Sequence, residues 1–171
     1  METFIRSLLA VFTFCMLSSC ASIPQTPKHA LHSEFNADQA RRMLEKGTNT
    51  IKGSALMRQR GGGVVTCAGQ TVFLIPATAY AVERMHFIYG PQDRGFGGKP
   101  GQLEDNSLYV ELTRRTRCDA QGFFAFDQVA DGMFYVMTRI NWETGRSAEG
   151  GGLMHRVTLS GVETREIVLA P

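Results

Sequence analysis

Charge of one sign is the first thing this sequence lacks. Its 18 Lys and Arg stand against 16 Asp and Glu, a formal net charge of +2. So small an imbalance argues against nucleic acid as a partner. Long apolar runs are missing as well. The longest, residues 8–17 (LLAVFTFCML), would rise only about 15 Å as a helix, half of a ~30 Å hydrocarbon core. Catalytic and metal motifs are equally scarce. No Cys-x-x-Cys and no His-Glu-x-x-His occurs, and the 4 histidines, His29, His32, His86 and His155, are scattered. Gly145-Arg146-Ser147-Ala148-Glu149-Gly150 is one residue too long for a nucleophile elbow. Gly98-Lys99-Pro100 lacks the upstream Gly and the following Ser or Thr of a phosphate loop. We therefore expect a protein that is not an enzyme and that needs no cofactor and no metal.

What is present at the N-terminus is a pattern. Arg6 precedes the apolar run, and Leu17-Ser18-Ser19-Cys20 follows it. A charged start, a short apolar stretch and a small-residue site describe a secretory signal. Leu17-Ser18-Ser19-Cys20 also resembles the lipobox of bacterial lipoproteins, which implies cleavage after residue 19 and acylation of Cys20. Several acyl chains on one residue would give stable membrane anchoring, where one chain binds only marginally. Ala21 follows the cysteine, and by the same resemblance we expect the outer membrane, facing the periplasm. Residues 20–35, with Pro24 and Pro27, read as a flexible tether.

With Cys15 in the leader and Cys20 acylated, Cys67 and Cys118 are the remaining pair. In an oxidising compartment an isolated pair most simply forms a structural disulfide. A redox or metal site is the alternative, but no His stands at ligand spacing from either cysteine.

Along the rest of the chain the hydrophobic period selects the elements. Asn36 caps a short helix that ends by Gly47, with Gln39 in capping-box position. From residue 50 the period changes to two, and strands are expected over 51–56, 64–67, 71–75, 113–118, 123–129, 133–142, 153–159 and 163–169. A further strand is expected over 108–112. Residues 79–88 read as a helix, and 90–101 (GPQDRGFGGKPG) and 143–152 as Gly-rich loops. Many short strands separated by turn signals predict a single all-β sandwich of about seven strands over residues 50–171, with an insertion at 79–107.

One motif narrows this further. Asp119-x-x-Gly122-x-Phe124-x-Phe126-x-x-Val129-x-x-Gly132-x-Phe134-x-Val136, with Ile51-x-Gly53 and Ala68-Gly69 upstream, resembles the carboxypeptidase regulatory-like, or transthyretin-like, domains. That resemblance implies a Greek-key sandwich with an accessory, non-catalytic role. Candidate binding residues are few. Arg114, Arg115 and Arg117 share one strand, with Arg115 and Arg117 on the face opposite Cys118, and Tyr89 and Phe96 flank or occupy the first Gly-rich loop. A non-catalytic module anchored through Cys20 and holding an envelope protein partner fits these features best. A module binding peptidoglycan or polysaccharide is the alternative.

Overall fold

A computed structural model describes residues 28–97, 101, 103–104, 106–145 and 147–171. The leader and Cys20 lie outside these residues.

Period-two alternation builds two sheets. In β1 (Asn49–Arg58), Ile51, Ala55 and Met57 are buried while Lys52 faces out. β1 pairs antiparallel with β2 (Val64–Thr66) and β6 (Phe123–Val129), and in parallel with β9 (Thr164–Leu169). The larger sheet runs β4 (Arg94–Gly97), β8 (Ser147–Leu159), β7 (Gly132–Thr144), β3 (Thr71–Pro76) and β5 (Arg114–Arg117). Inward residues of both sheets, among them Ile51, Leu74, Phe124, Phe126, Phe134, Val136 and Leu153, form one core. Stacked sheets of this kind lie about 10 Å apart. The fold is thus an all-β sandwich, with nine strands among the described residues. Cys67 and Cys118, both buried, are joined by a disulfide with Cα atoms 5.8 Å apart. It ties the turn before β3 to the end of its edge neighbour β5.

A second, smaller core lies on the outer side of the larger sheet. There α2 (Ala79–Tyr89) and α3 (Ser107–Glu111) bury Tyr80, Ala81, Met85 and Tyr109 against Ile75, Tyr135 and Met154. α1 (Ala37–Met43) starts where expected, because the Asn36 side chain accepts the Gln39 N–H.

Four expectations change. The strand expected over 108–112 is the helix α3. Asn106 caps it by accepting the Tyr109 N–H, and Tyr109 is fixed among Tyr80 and Phe35. Five residues are too few for the period to decide between helix and strand. The Gly-rich loop over 90–101 contains β4, paired to β8. The loop over 143–152 is mostly strand, since β7 and β8 stay in register as far as Thr144 and Ser147. Three of their glycines are packing residues. A Cβ at Gly95 or Gly152 would run into the Tyr89 side chain, and one at Gly151 would press on Phe96.

The fourth change concerns the tether. From His29 onward it is docked. The His29 ring stacks on Phe87 at 4.6 Å, and the segment bridges in parallel to Leu103. Glu83 accepts the backbone N–H groups of His32 at 2.8 Å and Ser33 at 2.7 Å, with His32 Nδ1 at 3.0 Å. These donors, the His32 N–H first, hold the Glu83 carboxyl at about 2, well below the ordinary 4.5. A depressed folded value means the latch contributes above the unfolded value and is lost as pH falls through the folded one. The His32 and Ser33 amide shifts should accordingly titrate with an inflection near pH 2. An inflection near 4.5 would mean that the carboxylate is solvated and the latch open.

Candidate functional site

The five residues singled out for binding do not converge. Arg114 turns inward, donating to Asp127 O and Gln128 O and lying over the Phe126 ring. It stitches β5 to β6 across the edge of the sandwich. Arg115 points the other way, donates to Val110 O and lies over Phe73. Both are committed to structure. Arg117 shares the face of Arg115, as alternation requires, and is exposed. Tyr89, the last residue of α2, is half-buried, its ring filling the space left by Gly95 and Gly152. Phe96 projects from the opposite face of β4 and is exposed. Tyr89 and Phe96 therefore cannot form one aromatic platform.

A different surface gathers chemistry that no single segment shows. The outward positions of β1, β6 and β9 make one sheet face, and the register arranges them in rows. Phe123, Ser54 and Val168 lie abreast in one row, and Ala125, Lys52 and Glu166 in the next. Side chains directly opposite one another on a sheet stand about 5 Å apart. Phe123 is 58% exposed, more than Phe96 or Phe87, the other exposed phenylalanines among the described residues. Its place is set by Asp119, whose carboxylate accepts the N–H groups of Gln121 and Phe123, both at 2.9 Å. Gly122, with φ of 89°, permits that turn and leaves room for Thr66. Lys52 and Glu166 are neighbours across the strands, yet no ion pair joins them among the described residues. Their polar atoms remain open to a ligand.

These rows floor a broad, open depression bordered on one side by Asp119 and by Arg117, which reaches it from the end of edge strand β5, and on the other by Arg94 and His155. Burial pushes the His155 imidazole below its ordinary value, and nearby Arg94 pushes in the same direction. Its Nδ1 is buried and finds no protein partner among the described residues. Chemically the surface offers an apolar ring, an ammonium, a carboxylate, a hydroxyl and guanidinium groups. Among the described residues no group of three or more His, Cys, Asp or Glu is placed to hold a metal.

Sequence reasoning missed this face because Lys52, Phe123 and Glu166 each look like a routine outward residue of a separate strand. The one available signal was Phe123, a phenylalanine on the polar side of an alternating strand.

No protein-family model matches the chain, and no curated protein matches it. Among solved structures it is similar to that of a "putative carbohydrate binding protein" from Pseudomonas aeruginosa. It is 20% identical, with a TM-score of 0.65 over 81% of this chain and 99% of that one. This chain shares the fold of that protein over nearly the whole of its length.

Proposed function

We propose that this protein is a non-catalytic carbohydrate-binding module of the bacterial envelope, anchored by acylation of Cys20 at the periplasmic side of the outer membrane. The observation that carries the reading is the exposed Phe123 ring set among unpaired polar groups on one sheet face. A pyranose presents a C–H face to an aromatic ring and a rim of hydroxyls to donors and acceptors, and Lys52, Ser54 and Glu166 supply those within one or two residues of Phe123. The fold shared with the Pseudomonas protein supports the same reading. The two-sheet sandwich and the Asp119-to-Val136 motif together support membership of the transthyretin-like, carboxypeptidase regulatory-like class. Arg114 and Arg115, expected from sequence as binding residues, have structural duties and take no part in the proposed site.

The test uses a Cys20→Ala form incubated with purified peptidoglycan sacculi and with isolated surface polysaccharide. Retention on one of them is expected. Phe123→Ala should weaken it about tenfold, the loss of roughly 1.4 kcal/mol of stacking. Lys52→Ala and Glu166→Gln should each weaken it less, while Arg115→Ala should leave it unchanged. Equal retention of wild type and Phe123→Ala would sink the assignment of the site.

A second reading, a scaffold for an envelope protein partner, is favoured by one observation. Among the described residues β9 pairs with β1 on one side only, and an open edge is where an added strand would attach. Crosslinking that recovers a specific protein through β9, with no retention on glycan, would move the conclusion to that reading.

A further inference from the structure

The docked segment 29–35 fixes where the chain leaves the domain, and that position has a functional consequence. His29 is stacked on Phe87 and bridged to Leu103, whose neighbour Glu104 donates its N–H to His29 O at 3.2 Å. His32 and Ser33 are latched to Glu83. Phe35 is wedged edge-on against Tyr80 and Tyr109, 5.5 and 5.8 Å between ring centres. Every one of these contacts is made to α2, α3 or the segment between them. The N-terminal chain thus departs from the helical layer, on the outer side of the larger sheet. The face bearing Phe123 and Lys52 is the opposite side of the molecule. One helix layer and one sheet-to-sheet spacing separate the two, about 20 Å in all.

Chain length then limits the geometry. Eight residue steps separate Cys20 from Lys28, so even fully extended they reach only about 28 Å. A five-stranded sheet is about 19 Å across, so leading around its edge to the far face would use up that whole length, whereas the helical layer is where the chain already stands. We propose that the helical layer is the surface this protein turns toward the bilayer, which holds the four-stranded sheet's outer face away from the membrane. The proposal rests on acylation of Cys20 and gives the carbohydrate site its orientation. The composition of the layer suits a lipid surface. Phe87, Leu108 and Val110 are exposed large apolar side chains on α2 and α3. The same layer carries Arg84, which donates to Glu104 O, Arg115, which donates to Val110 O, and the carboxylate of Glu111 on α3. With cations and acids both present, contact depends on apolar insertion at the headgroup boundary rather than on anionic lipid.

The experiment uses the mature acylated protein in phosphatidylcholine vesicles, with and without phosphatidylglycerol. An environment-sensitive fluorophore is attached at Leu108→Cys or, separately, at Ala125→Cys, and a lipid carrying a nitroxide at its headgroup is the quencher. Quenching about fivefold stronger at 108 than at 125 is expected, given the ~20 Å between the two faces, and the same ratio in both lipid mixtures. Glu83→Ala, which opens the latch, should bring the two positions closer together. Equal quenching in the wild type, stronger quenching at 125, or absence of acyl chains on Cys20 by mass spectrometry would overturn the proposal. Glycan retention is measured on the soluble Cys20→Ala form, so failure of the carbohydrate reading shows there and leaves the quenching ratio standing.

Discussion

Replacing both Cys67 and Cys118 with Ala should lower the free energy of unfolding by about 4 kcal/mol, the chain-entropy value for a closed loop of this length. The two cysteines are separated by 51 residues. The loop they close spans β3, α2, β4, α3 and β5, and so carries both helices of the outer layer. Without the bridge, the unfolded chain regains the freedom of that whole segment. The packing that the two sulfur atoms themselves provide is small by comparison. Cys67 Sγ lies 3.3 Å from Gly122 O, and removing two buried sulfurs leaves modest gaps. Guanidinium unfolding of the oxidised wild type and the double variant would measure the difference. A gap below about 1 kcal/mol would mean that the open chain retains much of the loop's structure.

Asn49→Leu should cost nearly as much, about 3 kcal/mol, by a different mechanism. Asn49 is fully buried at the start of β1. Its side-chain amide donates to Val129 O at 3.0 Å and to Asp131 Oδ1 at 2.9 Å, while its carbonyl accepts the Glu163 N–H at 3.1 Å. One side chain therefore joins the β6–β7 turn to the β8–β9 turn. Leucine has nearly the same shape but leaves a carbonyl and an N–H without partners, and unmade bonds of that kind cost about 1–3 kcal/mol each. The variant also has a titration signature. Asn49 is the main cause that lowers the Asp131 pKa, with the Gly161 N–H second. In the wild type this contribution is present above the unfolded carboxylate value and is lost as pH falls through the lowered one. In Asn49→Leu the Asp131 titration should move up toward its ordinary 3.8, and that part of the acid sensitivity should disappear. Urea midpoints between pH 3 and 7, with an NMR titration of Asp131, would show both effects. A neutral substitution would mean that water replaces the amide, and the buried network would not be needed for stability.

The parts of the fold legible in sequence are those whose partners lie close along the chain. Phe123 to Val129 alternates so plainly that its buried residues, Phe124 and Phe126, are set by sequence parity. In β7, Phe134, Val136, Thr138 and Ile140 are buried on the inner side as alternation requires, and Tyr135 is buried as well because α2 covers the other face. β4 and the start of β8 were not legible. Their glycines match a loop signal, and at Gly95 and Gly152 the reason is the ring of Tyr89, which occupies the space that side chains would fill.

By itself the sequence determined the alternation of the strands, the position of the first helix cap, the pair of cysteines available to each other and the shortage of catalytic constellations. All of these follow from local stereochemistry, from period, or from counting residue types. Tertiary structure alone decided that 107–111 is helical, that 29–35 is held on α2, and that Arg114 and Arg115 serve the scaffold. It also decided that Phe123, Lys52 and Glu166 stand side by side. The physical reason is the same for the docked segment and for the Phe123 face. The deciding interactions join residues far apart in the chain, through the register of β1 with β6 and β9 and through the carboxylate of Glu83, and no local pattern encodes a neighbour that only folding brings near.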